Sequence, residues 1–172
     1  MDLFDRWNRI ANQFTDLIGD IADDVRAHVE LGAALLEKGD YDLAIVELGL
    51  ALQKRRDHAR ARYLLGLCYQ RRGKPGDYEE AKRELQLAMA VRADYAEAQV
   101  AFGDALRSGG ELEQAAESYR LALPLLGDAV ARAEVERNLG AVYLQLGQLD
   151  KAVRELRKSV KLQINRAQVA LD

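Results

Sequence analysis

Residues 31–52 read LGAALLEKGDYDLAIVELGLAL, and residues 139–160 read LGAVYLQLGQLDKAVRELRKSV. The two stretches start 108 residues apart, and two further copies lie between them. The pair Leu31-Gly32 returns as Leu65-Gly66, Phe102-Gly103 and Leu139-Gly140, at intervals of 34, 37 and 37. Seven residues after each of these glycines comes another: Gly39, Gly73, Gly110 and Gly147. Alanine follows at Ala44, Ala81, Ala115 and Ala152, and seven residues on stand Ala51, Ala88, Ala122 and Ser159. A period of 34 with two three-residue insertions accounts for the whole spacing. One insertion lies in Lys74-Pro75-Gly76 and the other around Pro124–Val130, both at connections, where added length costs little.

The composition says what kind of unit repeats. Ala, Leu, Glu and Arg dominate, and Pro75 and Pro124 are the two prolines in 172 residues, so the chain is expected to be all-α. Each copy reads as two helices. The first ends at a glycine able to adopt the left-handed conformation. The second opens at Asp40, Asp77, Glu111 or Gln148, with Asp40 and Asp77 as N-caps and Asp77/Glu80 as a capping box. The small pair Gly32/Ala44 and its counterparts let the two backbones approach. Leu35, Tyr69, Leu106 and Tyr143 from the first helices, with Leu48, Leu85, Tyr119 and Leu156 from the second, are expected to fill the space between copies.

This pattern resembles the tetratricopeptide repeat (TPR) family: a large residue, Leu-Gly, an aromatic, Gly, Ala, an aromatic or Leu, then Ala. The likeness covers about residues 25–166 as four repeats, 25–58, 59–95, 96–132 and 133–166. It departs from the family at the first large aromatic, where His28, Arg62, Gln99 and Glu136 stand, and in lacking the proline that closes the second helix. The resemblance implies a right-handed α-solenoid with a concave groove lined by the first helices. It also implies a non-catalytic adaptor or scaffold that binds a helix or peptide of another protein. The groove positions would be Val29, Ala33 and Leu36; Tyr63, Leu67 and Gln70; Val100, Asp104 and Arg107; Arg137, Ala141 and Leu144. Chaperone-adaptor relatives clamp a C-terminal carboxylate with Lys, Asn and Arg. Here Val29, Ala33, Leu64, Glu97 and Ala101 occupy those positions, which argues against that ligand and for an amphipathic helix or an apolar segment.

Residues 1–24 carry apolar side chains at helical spacing, Leu3, Phe4, Trp7, Ile10, Phe14 and Leu17 among them, and are expected to form a separate amphipathic capping or docking helix. Its polar face is acidic, which disfavours a membrane surface. On the second helix of repeat 1, Ile45, Val46 and Gly49 stand where later repeats carry charge, and Gly49 suggests a close neighbour. With Phe4, Trp7 and Phe14 they are the candidates for self-association as a homodimer, the alternative to groove binding. The last second helix presents Arg154, Arg157, Lys158 and Lys161 as a solvated face, and residues 167–172 read as a tail or the start of another helix.

No enzyme chemistry is visible. His28 and His58 lack partners at metal-ligand spacing, so neither metal nor cofactor is expected. Cys68 reads as a buried filler, and one cysteine suits a reducing, cytoplasmic setting. The basic run from Lys54 to Lys74 lacks interleaved aromatics and the net charge is −3, which disfavours nucleic acid. No apolar run is long enough to span a membrane.

Overall fold

The structure, a computed structural model, describes the backbone of residues 3–169 and the side chains of Gly19 and residues 22–164. Eight α-helices follow one another over that range: α1 (Leu3–Lys38), α2 (Tyr41–Lys54), α3 (Ala59–Arg72), α4 (Asp77–Val91), α5 (Ala96–Ser108), α6 (Leu112–Ala122), α7 (Ala129–Gln145) and α8 (Leu149–Val169). A short 3-10 turn, Leu123–Leu125, lies in the second insertion. The helices pair as α1/α2, α3/α4, α5/α6 and α7/α8, and each pair packs on the next to give an all-α solenoid.

Two boundaries differ from the sequence reading. Residues 3–24 are not set apart from repeat 1, because α1 is one 36-residue rod. Between Gly19 and Leu31 the chain has no further glycine or proline to end a helix. At the other end α8 runs on to Val169, so residues 167–169 prolong it and open no new helix. The side chains of Phe4, Trp7 and Phe14 lie outside the described residues.

The turns are built by glycine as expected. Gly39, Gly73, Gly110 and Gly147 have φ of 86°, 65°, 82° and 70°, a region costly for other residues. The caps are not as expected. Asp40 stands at an N-cap but its side chain makes no capping bond. The N-cap of α4 is Gly76, and Asp77, one residue inside, is buried and accepts from Arg72 Nε at 2.8 Å and from the Lys74 N–H at 2.9 Å. The insertion Lys74-Pro75-Gly76 has displaced that start. The side chains that do cap are His58, which accepts from the Ala61 N–H at 3.1 Å, and Asp128, which accepts from the Ala131 N–H at 2.9 Å.

The pairs close through a bare glycine. A Cβ on Gly32 would stand 2.6 Å from Leu48 Cγ, on Gly66 2.7 Å from Leu85 Cγ, on Gly103 2.8 Å from Tyr119 Cε1, and on Gly140 2.7 Å from Leu156 Cγ. These four large residues therefore seat on the glycine of their own pair, and Leu85 and Tyr119 also belong to the cores shared with the next pair. The alanines Ala44, Ala81, Ala115 and Ala152 beside them are fully buried. Their smallness brings the backbones close, with Ala81 O 3.4 Å from the Cβ site of Gly66.

The missing family aromatic is replaced by a polar contact across each of the first three pairs. His28 Nδ1 meets Glu47 Oε2 at 2.7 Å, Arg62 Nη1 donates to Glu84 Oε2 at 2.8 Å, and Gln99 Nε2 donates to Ser118 Oγ at 2.7 Å. The fourth pair has Glu136 and Glu155 at the corresponding positions, both buried. Lys158 Nζ satisfies Glu155 at 2.8 Å, while Glu136 Oε2 has no partner among the described residues. Burial raises the Glu136 carboxyl above its ordinary value, and Glu155 adds to the rise while Lys158 and Arg132 oppose it.

Two predictions follow from these contacts. Gly103→Ala drives a Cβ into the Tyr119 ring and should cost about 1–3 kcal/mol. Gly49→Ala, equally mid-helix but with no neighbour within 4 Å, should add about 0.5–1 kcal/mol. Urea unfolding followed by circular dichroism reads both, and effects of the same sign would refute the glycine contact. For Glu136, the folded state holds the proton more tightly than the unfolded chain, so stability falls as pH rises from the ordinary glutamate value to the raised one. Glu136→Gln should therefore stabilise at pH 7, by about 1 kcal/mol, and lose that advantage below about pH 4. Thermal melts at both pH values test this; an equal effect at each would show that the carboxylate charge is not the cause.

Candidate functional site

The first helices of successive pairs touch in series, α1 on α3 and α3 on α5, and so form one wall. The structure sorts the twelve expected groove positions along it. Val29 and Leu36 do not face the groove: they are 1% and 2% exposed and belong to the first core. Tyr63 and Leu67 of α3 pack against that core. Ala33 packs there too, half-buried. Gln70 is half-buried and donates its amide to Ala101 O at 3.2 Å, which ties α3 to α5. Arg137 and Leu144 are exposed and Ala141 half-buried on α7, with Arg137 reaching Glu134 at 3.3 Å.

Four expected residues do converge. Tyr63, Leu67, Val100 and Asp104 line a hollow of about 250 Å³, together with Arg71, Glu97, Ala101, Leu126, Ala131, Glu134 and Val135. Its floor is apolar, from Leu67, Val100, Ala101 and Leu126. Its charged groups are three acids, Glu97, Asp104 and Glu134, and one base, Arg71. Arg71 lies 3.8 Å from Glu37 and is partly neutralised by it. Arg71 and Glu97 were readable from sequence, since each flanks an expected groove position by one to three residues on the same helix. Leu126 was not, because it arrives from an insertion with no counterpart in the other repeats.

Second-helix contacts set the polar chemistry of the hollow. Tyr119 of α6 donates its hydroxyl to Asp104 Oδ1 at 2.5 Å, and Arg107 approaches the same oxygen at 3.7 Å. Burial still pushes the Asp104 carboxyl up, against the pull of those two partners. Tyr63 is pushed up to about 12, mainly by burial, so its hydroxyl stays neutral and free to donate. Its ring lies 5.1 Å from that of Tyr95, tilted by 49°, and Arg92 covers the other ring at 3.3 Å. This stack fixes one wall of the hollow.

The expected self-association patch on the convex side is altered. Ile45 is turned toward α3 and packs against the first core. Val46 is 55% exposed, with Leu43 at 54% beside it. Gly49, expected to mark a close neighbour, has none within 4 Å of a Cβ position. Cys68 is fully buried, and burial pushes its thiol up to about 11. Among the described residues no cluster of His, Cys, Asp or Glu is arranged to hold a metal, and no helix is long and apolar enough to cross a membrane.

Comparison with known proteins agrees with this architecture. A tetratricopeptide repeat profile matches residues 10–57, and a second matches residues 138–163. Both profiles are tetratricopeptide repeat models, and they support a tetratricopeptide repeat family for this chain. No curated protein sequence matches it. Among solved structures it is similar to MamA, with a TM-score of 0.76 over 98% of each chain at 22% identity. It is also similar to pilF of Pseudomonas aeruginosa, with a TM-score of 0.73 and 27% identity over 88% of this chain and 67% of that one. The first TPR of Spaghetti (RPAP3), bound to the HSP90 peptide SRMEEVD, matches at 0.66 and 21% identity over 73% of this chain and 97% of its own.

Proposed function

We propose that the chain is a non-catalytic, cytoplasmic protein-interaction scaffold whose concave hollow, between α3, α5 and α7, receives a helix or peptide from another protein. Residues 25–166 would act as the four-repeat binding module and residues 1–24 as its extension. The observation that carries this reading is the hollow itself: Tyr63, Leu67 and Val100 offer a partly open apolar floor of side-chain size beside three acids and one base. A ligand of matching chemistry places an apolar side chain on Val100 and a basic residue near Glu97 or Glu134. The Spaghetti domain holds a peptide with three acidic residues. In this chain the acids of the hollow would repel such a peptide, so a basic or neutral amphipathic segment fits better.

A second reading, pairing of two copies through the convex face, is supported by the exposure of Leu43 and Val46. It is the weaker of the two, because Ile45 has turned inward and leaves a small patch.

Tyr63→Ala combined with Leu67→Glu tests the groove. Copurification from the native cell should lose the partner while circular dichroism shows unchanged helix content, and Glu97→Lys should lose it too. Retention of the same partner by both variants would overturn groove recognition.

A further inference from the structure

The helix pairs show what covers a second helix when another pair follows. On α2, Ile45 and Leu52 pack against the core shared with α3; Ala116 of α6 belongs to the core shared with α7, and Leu123, just past the end of α6, packs against it. The corresponding residues of α8, Val153 and Val160, are 46% and 53% exposed, and Ile164 one turn further is 52% exposed. They edge an open apolar hollow of about 420 Å³ flanked by Arg157 and Lys161.

The first helix has the matching surface. In α3, Ala61, Leu65 and Cys68 are buried against the preceding pair, as are Val135, Leu139 and Val142 in α7. Their counterparts on α1 are Ala27, Leu31 and Ala34, all exposed, with Leu31 at 48%. The stack thus ends in two open faces, each in the register of an internal junction.

We infer that a second copy of this chain docks head to tail, the Ala27/Leu31/Ala34 face of its α1 covering the Val153/Val160/Ile164 face of α8. Charge selects this occupant. The α8 helix carries six basic residues against two acidic, and α1 seven acidic against four basic. Direction agrees as well. A first helix runs antiparallel to the second helix before it, so the C-terminal end of α8, with Arg157 and Lys161, comes beside the N-terminal half of the incoming α1. By sequence Asp16 and Asp20 lie in that half and Asp23 just past it, while Arg6 and Arg9 lie nearer its start. Both helices are also longer at that end than their counterparts: α8 has 21 residues where α2, α4 and α6 have 14, 15 and 11. The contact uses two different faces, so copies add in series and do not close as a symmetric pair. It leaves the concave hollow free and stands independently of groove recognition.

Light scattering with analytical ultracentrifugation of the full chain at low salt tests this. The mean mass should rise with concentration past that of two chains. Val153→Glu with Val160→Glu, and separately Leu31→Glu, should each run as one chain with helix content unchanged by circular dichroism. An equal mixture of the two variants should form pairs and stop there, since each keeps one intact face. A wild-type mass that stays at one chain at the highest soluble concentration would overturn the proposal. So would folded variants that associate like wild type, or a mixture of folded variants that does not pair.

Discussion

The contact on which the rest depends is a large side chain seated on a glycine across each helix pair. Leu48, Leu85 and Tyr119 are fully buried there, each contributing on the order of 2 kcal/mol of apolar burial. The seat exists because the opposing residue has no Cβ, and any larger residue at Gly32, Gly66, Gly103 or Gly140 would hold the helices apart. Once two helices are locked at that spacing, their outer flanks are the next surfaces available, and the next pair covers them. One local constraint, used four times, sets both the pair and the pitch at which pairs stack. The concave wall is a consequence: first helices end up side by side because second helices have been pulled behind them.

The same spacing explains how the chain dispenses with the family's first large aromatic. A pair held that close leaves room for a short polar bridge, and three pairs have one. His28–Glu47 and Gln99–Ser118 are 19 residues apart; Arg62–Glu84 is 22 apart because the three-residue insertion lies between them. The polar residues were visible in sequence as departures. Their role was not, because it depends on the partner across the pair. Glu136 and Glu155 keep the register but not the complementarity, so Lys158 and Arg132 must offset two buried acids at the last pair.

Most of the fold was legible because the repeat period is carried by glycines and alanines whose spacing tolerates few alternatives. The turn glycines and the helix pairs stand where the period puts them. The groove was legible only in part, and for a definite reason: the repeat pattern treats all four copies alike, whereas packing does not. Val29 and Leu36 occupy the same repeat positions as Tyr63 and Gln70, yet they lie buried in the first core, against which Tyr63 and Leu67 pack. Caps failed for a similar reason. Asp77 looks like an N-cap, but Arg72 and the Lys74 N–H claim its oxygens first, and the insertion hands the N-cap position to Gly76.

A stack of identical pairs contains nothing that tells it to stop; termination needs polar residues on the last outer faces. Here that substitution is half made. Arg154, Arg157 and Lys161 solvate part of α8, but Val153 and Val160 keep apolar the two positions that α2 and the end of α6 bury, and Ile164 extends that row. On α1, Glu30 and Glu37 are exposed beside Leu31, although Arg60 and Arg71 draw them toward α3. Like ends therefore repel, basic against basic and acidic against acidic, while unlike ends attract and share an apolar row in the same register. The charge placement leaves apolar rows at both ends of the solenoid and still disfavours pairing of α8 with α8 or of α1 with α1. The sign of the charge, more than the amount of apolar surface, separates the two ends.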